Sequence, residues 1–108
     1  MQWKIKFTSI AEADLKNIYV YISAEANEEI AYEQINKILY NVEYLKNNPY
    51  LYPIYDHEPW NEKGIRRIVS NNYSLFYQTD ENTQTISIIS IINNRQDLLS
   101  CLKLRFMF

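Results

Sequence analysis

The chain has 108 residues, 47% hydrophobic and 22% charged, which is the composition of a globular domain with one hydrophobic core. Its formal net charge of −2 excludes a broad basic surface of the kind that binds nucleic acid through phosphates. A single cysteine excludes an intramolecular disulfide and favours a reducing compartment, and no apolar run approaches the roughly 18 residues of a membrane span. We therefore expect one cytoplasmic domain, residues 1–108, with no membrane partner and no cofactor or metal.

The N-terminal segment predicts a strand followed by an amphipathic helix. Residues 3–7 alternate apolar and cationic side chains, which is the period of a strand with one wet face. Ser9 and Glu12 have the spacing of a capping box, so we expect the helix to begin at Thr8 or Ser9. Apolar residues then recur at steps of four, three and four and give this helix one apolar face: Ala11, Leu15, Ile18 and Ile22.

A second helix follows closely. Asn27 stands before two glutamates that complement the helix dipole, so it is the predicted N-cap. The helix ends near Asn48, because a residue before proline is driven out of the helical conformation. Between these limits the apolar positions again recur at steps of four and three: Ala31, Ile35, Ile38, Val42 and Leu45. Two such helices joined by a few polar residues predict a helical hairpin.

The second half of the chain predicts a loop, three strands and a short helix. Residues 50–62 carry two prolines and four large aromatics, which indicates a loop pinned to the core. Turns are expected at residues 71–72 and 80–84, and residues 85–92 are β-branched and nearly all apolar, as in a central strand. Residues 96–104 can form a short helix. The predicted fold is α+β in the order β-α-α-β-β-β-α, with the N-terminal helical hairpin packed on a small antiparallel sheet.

Three stretches of sequence resemble the RelE/ParE superfamily of toxins from bacterial type II toxin–antitoxin modules. They are IKFTSIAEADLKNIYVYIS, EYLKNNPYLYP and GIRRIVSNNYSLFYQTDENTQTISIISIINNRQD, and together they span nearly the whole chain in order. The ParE-like branch is the more similar one. The resemblance implies a toxin that inhibits growth by binding a cellular target such as DNA gyrase and is neutralised by a cognate antitoxin protein.

RelE-type members of the superfamily imply an alternative function, ribosome-dependent cleavage of mRNA without a metal. That reaction needs cations against the developing phosphorane charge, and the resemblance places them at Arg66, Arg67 and Arg95 as catalytic residues. Where the family has an arginine on the next strand, this chain has Ser74. The position of the family's C-terminal tyrosine lies near Cys101 in this chain. Both departures favour the binding function over the nuclease. A non-toxic interaction module is the third alternative.

Each of these candidates also has a structural explanation. Arg66 and Arg67 are neighbours on a strand and must point to opposite faces, so we expect one of them to pair with a carboxylate of the helices or the loop. For Arg95 two roles remain open. It is either a functional residue or a structural one that forms a salt bridge with Asp97 or a contact at the start of the helix. His57, the one histidine, is expected to be a surface residue.

The C-terminal tail is strongly apolar. One alternative is that its rings fold back on the sheet. The other is that the tail forms an apolar binding surface, either for a helix or strand of the antitoxin or for a second copy of the chain in a homodimer. The resemblance favours the antitoxin, and the predicted antitoxin-binding residues are Leu102, Leu104, Phe106 and Phe108.

Overall fold

The computed structural model describes residues 2–105 and confirms the predicted α+β class and element order. The elements are β1 (Lys4–Phe7), α1 (Ser9–Glu25), α2 (Glu28–Tyr44), β2 (Arg66–Ser70), β3 (Tyr73–Asp80), β4 (Thr85–Asn93) and α3 (Leu98–Arg105). None of the helices in this part of the chain is long and apolar enough to cross a membrane.

The four strands form one mixed sheet in the order β1-β4-β3-β2. The β2–β3 and β3–β4 pairs are antiparallel, as strands joined by tight turns must be. β1 lies parallel to β4. Most of the chain separates these two strands, so no tight turn requires them to be antiparallel. The sheet is therefore mixed, whereas the sequence pattern indicated an antiparallel one.

β4 contains a bulge that explains why its sequence is apolar almost throughout. Phe76 pairs with Ser90 and Tyr77 pairs with Ile88, so Ile89 is an extra residue without a partner in β3. The bulge shifts the alternation of side chains beyond it, and β4 buries side chains on both faces of the sheet.

The sheet separates two hydrophobic clusters. The cluster on the hairpin side joins side chains of both long helices to alternate positions of the strands, including Ile18, Ile38, Leu45, Ile68, Leu75 and Tyr77. On the opposite side, rings of the loop between α2 and β2 pack with residues of the sheet and of α3, including Tyr55, Trp60, Ile65, Phe76, Ile92 and Leu102. The aromatic loop is thus pinned to the core, as predicted.

The start of α1 continues the hydrogen bonding of β1 towards β4. β1 ends at Phe7, and Thr8 donates its backbone N–H to the Ile88 carbonyl at 3.0 Å. The Thr8 hydroxyl donates to the Ile89 carbonyl at 3.0 Å and accepts the Ala11 N–H at 3.1 Å, so Thr8 is the N-cap. The capping box predicted for Ser9 is replaced by this contact, because Thr8 has the extended backbone that an N-cap requires.

Three further local signals behave as predicted, whereas α2 ends at Tyr44, before the end predicted near Asn48, and residues 45–47 form a turn. The Asn27 side chain accepts the Ile30 N–H at 2.8 Å and caps α2. Asn71 adopts a positive φ of 53° in the first turn. In the second turn the Asp80 carboxylate accepts the Asn82 N–H at 3.0 Å.

The cap assignment predicts a difference between adjacent positions. Thr8→Val keeps the shape of the side chain but removes the hydroxyl, so we expect the free energy of unfolding to fall by about 1–2 kcal/mol. Thr8→Ser should retain most of that stability, and Ser9→Ala should change it by less than about 0.5 kcal/mol. Urea unfolding monitored by circular dichroism measures all three. An equal loss in Ser9→Ala would contradict the assignment.

Candidate functional site

Arg67 lies on the face of the sheet that turns away from the helical hairpin. It is paired across the strands with Phe76, its Nε donates to the Ser74 Oγ at 2.8 Å, and its guanidinium lies 5.8 Å from the centroid of the Tyr55 ring. Ser74 is fully buried and donates its own hydroxyl to the Asn94 Oδ1 at 2.5 Å. At the position where the resemblance implies an arginine, a small buried hydroxyl therefore orients a different arginine.

A surface cavity of about 480 Å³ beside β2 contains this arginine. Residues 52–57 of the loop form one wall, and Arg67 and Val69 form the other. His57 is exposed, as predicted, and its ring lies 4.7 Å from the ring of Tyr55. The structure thus brings the single histidine into the same cavity as Arg67, which its position in the sequence does not reveal.

Arg66 points to the other face of β2, as the strand alternation predicts. Its Nη1 donates to the Tyr52 carbonyl at 2.6 Å and to the Tyr50 carbonyl at 3.4 Å, and its guanidinium lies 5.2 Å from the centroid of the Tyr50 ring. Within residues 2–105 neither Arg66 nor Arg67 forms an ion pair with a carboxylate, so the prediction that one of them does is wrong there. Arg66 instead donates hydrogen bonds to carbonyl groups of the loop. In the part of the chain that the structure describes, no neighbouring strand donates to these carbonyls.

Arg95 is exposed at the far end of the sheet, just after β4. Its backbone N–H donates to the Asn93 Oδ1 at 2.9 Å, and across residues 2–105 its guanidinium makes no recorded hydrogen bond or ion pair. The salt bridge expected with Asp97 is absent there, because Asp97 accepts both the hydroxyl and the backbone N–H of Ser100, at 2.8 and 3.3 Å, and caps α3.

The Arg95 guanidinium borders a cavity of about 390 Å³ between α1, the end of the sheet and α3, which we call the Arg95 cavity. Its floor includes Ile18 and Ile91, and its polar lining includes Asn17, Tyr21, Tyr73, Asn93 and Gln96. Burial raises the pKa of Tyr73, and the neighbouring Tyr21 raises it further while a hydrogen bond with Asn93 opposes the shift. The Tyr73 hydroxyl is therefore a neutral hydrogen-bond donor at physiological pH.

An ion pair between the buried Asp14 and the half-buried Arg105 lines the Arg95 cavity. The Asp14 carboxylate, on the core-facing side of α1, accepts the backbone N–H of Ile91 at 2.8 Å and pairs with the Arg105 guanidinium of α3. The same Arg105 nitrogen donates to the Ser90 Oγ at 2.7 Å. The carboxylate thereby joins α1, β4 and α3 at one point.

Sequence reasoning missed this pair, although a signal was present. Asp14 stands three residues after Ala11 and four before Ile18, within the apolar face of α1, where an unpaired charge would be costly. That position predicts a buried partner for Asp14 but does not say that it is Arg105.

The tail residues predicted to bind an antitoxin fall in different environments. Leu102 is fully buried in the cluster under α3, so in this conformation it holds the helix to the sheet. Leu104 is 77% exposed and is available to a partner. Phe106 and Phe108 lie outside the described residues.

The outer surface of the hairpin exposes an unusual number of aromatic side chains. Tyr32, Tyr40 and Tyr44 of α2 are 51–73% exposed, and their spacing of eight and four residues places them on one side of the helix. Val20 and Tyr21 of α1 are exposed to a similar degree. Sequence reasoning did not identify this surface.

The chain matches a family model over residues 5–98, and the model is described as the ParE toxin of the type II toxin–antitoxin system parDE. The chain belongs to the ParE toxin family. A solved structure of the chromosomal ParDE system from P. aeruginosa is similar, with a TM-score of 0.70 and 22% identity over 85% of this chain and 96% of that one. No curated protein matches significantly.

Two RelE-related structures share the fold of this ParE-family protein at lower identity. The toxin–antitoxin complex RelBE2 from Mycobacterium tuberculosis has a TM-score of 0.60 and 18% identity, covering 86% of this chain and 99% of that one. The isolated RelE toxin of E. coli has a TM-score of 0.60 and 11% identity, covering 98% and 99%. The family match includes all three candidate arginines, and it ends at the first residue of α3.

The ion pair at the wall of the Arg95 cavity predicts a large effect on stability. Asp14→Ala leaves Arg105 and the Ile91 N–H without their partner, so we expect the free energy of unfolding to fall by about 2–4 kcal/mol. Glu43→Ala is the matched control, since Glu43 pairs with Lys46 on an exposed part of α2, and it should cost less than about 0.5 kcal/mol. If Asp14→Ala and Arg105→Ala proved additive in a double-mutant cycle, the pair would not be coupled as described.

The cap of α3 predicts the direction of a titration. The Ser100 hydroxyl and backbone N–H both donate to Asp97 and hold its pKa below the usual value of 3.8. Because the folded pKa is lowered, the stabilisation is complete above pH 3.8 and is lost as the pH falls through the folded pKa. In a carboxyl-carbon NMR titration Ser100→Ala should raise the Asp97 midpoint, and Ser9→Ala should leave it unchanged. An unmoved midpoint in Ser100→Ala would exclude this cap.

Proposed function

We propose that this ParE-family protein is the toxin component of a type II toxin–antitoxin module, that it inhibits growth by binding a cellular target of the gyrase type, and that a cognate antitoxin neutralises it. The observation that carries the proposal is the family match over residues 5–98. The similar structures from P. aeruginosa and M. tuberculosis are a toxin–antitoxin system and a toxin–antitoxin complex, which supports a protein antitoxin here.

The separation of the three arginines supports binding rather than cleavage. Arg66 contacts the loop on the hairpin side of β2, Arg67 lies on the opposite face in the cavity beside β2, and Arg95 borders a different cavity. Stabilising a phosphorane requires donors that converge on one phosphate. Within residues 2–105 these cations do not converge.

Two surfaces offer the apolar area that a binding protein needs. We assign the target to the exposed side of the hairpin that carries Tyr32, Tyr40 and Tyr44, because aromatic side chains supply much of the binding energy at interfaces. We assign the antitoxin to the tail, where Leu104 is exposed and where Phe106 and Phe108 follow in the sequence.

Induced expression in a bacterial host tests the proposal. We expect growth arrest, altered supercoiling of a reporter plasmid and intact transcripts. Replacing Tyr32, Tyr40 and Tyr44 together by serine should restore most growth, because it removes the apolar contacts of the hairpin surface. Leu51→Ser, which removes a side chain that is 53% exposed on the loop, is the matched control and should leave the arrest unchanged.

Two outcomes would contradict this proposal. Normal growth with folded protein present at a high level would indicate the non-toxic module. Arrest that persists in the triple variant and disappears in Leu51→Ser would place the target on the loop instead of the hairpin.

The cavity beside β2 favours ribosome-dependent mRNA cleavage as the second candidate function. Arg67 would stabilise phosphorane charge there, and His57, which lines the same cavity, would be the candidate acid or base. If this candidate is correct, new mRNA 5′ ends appear within translated frames on induction, and Arg67→Ala and His57→Ala each remove them. Arg66→Ala, which alters a contact outside this cavity, should remove fewer.

A further inference from the structure

The Arg95 cavity has an unbalanced positive charge. Two guanidiniums and one carboxylate line it among the described residues, and the carboxylate of Asp14 is committed to Arg105 and to the Ile91 N–H. The nearby carboxylate of Asp97 is held by Ser100. The charge of Arg95 is therefore the one that its protein neighbours leave uncompensated.

The rest of the lining offers neutral donors above an apolar floor. Tyr21, Tyr73, Asn17 and Asn93 line the same space as Arg95, and Ile18 and Ile91 are apolar residues of that lining. A cation with neutral donors suits a carboxylate, and an apolar floor suits a short aliphatic chain attached to it. Glutamate combines these two parts in one side chain.

The energetics favour a side chain carried by a protein over a free carboxylate. An exposed ion pair contributes only about 0–1 kcal/mol, so Arg95 alone would hold a small carboxylate weakly. Tyr21 borders the cavity and is 57% exposed beside Val20, which is 59% exposed, so a polypeptide entering here would bury apolar area around the ion pair. The net charge of −2 argues against a nucleic-acid phosphate as the occupant.

We propose that the Arg95 cavity binds a glutamate side chain of the antitoxin, with its carboxylate on Arg95 and its methylenes over Ile18 and Ile91. The identity of the partner rests on the proposed function, whereas the chemistry of the cavity does not. The contact fixes where the partner lies on the toxin, because charged contacts determine register and specificity more than total affinity.

A titration with capped amino acids tests the cavity without the antitoxin. The probes are N-acetyl-glutamate methylamide, N-acetyl-glutamine methylamide and inorganic phosphate, each followed by ¹⁵N NMR of the full chain. The capped glutamate should shift the side-chain amides of Asn17 and Asn93 and the Arg95 Nε saturably, with a Kd of about 1 mM or weaker. Arg95→Gln should weaken binding roughly fivefold, and Arg95→Lys should recover part of the loss. Lys103→Gln, the same charge change on an exposed part of α3, should have no effect.

Several results would overturn the proposal. Equal shifts from the capped glutamine would show that the carboxylate is not recognised, and tighter binding of phosphate would identify a phosphate site. Unchanged binding in Arg95→Gln would exclude Arg95 as the anchor. The growth assay separates the two proposals. Growth arrest without binding of the capped glutamate refutes only the proposal for the cavity. Specific binding without growth arrest refutes the toxin function and leaves the cavity as a carboxylate site.

Discussion

The arrangement of the molecule depends on the contact of the Asp14 carboxylate with β4 and α3. β1 is too short to accompany β4 along its whole length, so the β4 backbone beyond Ile88 needs other partners on that side. The Thr8 hydroxyl satisfies the Ile89 carbonyl and Asp14 satisfies the Ile91 N–H. A charge buried in this position is costly unless it is paired, and Arg105 supplies the pair from α3. The sheet edge, the first helix and the last helix are thereby fixed together.

Most features that depend on residues close together in the sequence were predicted correctly, and most features that depend on distant residues were not. Apolar periodicity predicted both long helices, and Asn27 and Asn71 marked a cap and a turn correctly, because those signals lie within a few residues of each other. The partners of the arginines lie farther away in sequence. Arg66 donates to loop carbonyls 14 and 16 residues away, and Arg105 meets Asp14 across 91 residues. No local pattern specifies such pairs.

The candidate functional surfaces follow from the burial of both faces of the sheet. The hairpin covers one face, and the loop with α3 covers the other, so polar groups of the strands reach solvent mainly at the ends and edges of the sheet. Arg67 is half-buried at the β2 edge, and Arg95 is exposed just after β4. Alternation along β2 correctly separated Arg66 from Arg67, but it could not show that Ser74 would orient Arg67, because that contact depends on the register between β2 and β3.

The acidic balance of the chain constrains how it can recognise any partner. With a net charge of −2 the protein has no long-range attraction to an acidic partner, so affinity for such a partner must come from the burial of apolar area. Apolar surfaces alone tolerate shifts in register, whereas a single cation in a lined cavity does not. Asp14 contributes to this specificity by neutralising Arg105, so that Arg95 is left as the point where a partner's carboxylate is recognised. One buried ion pair therefore both secures α3 and localises the free positive charge.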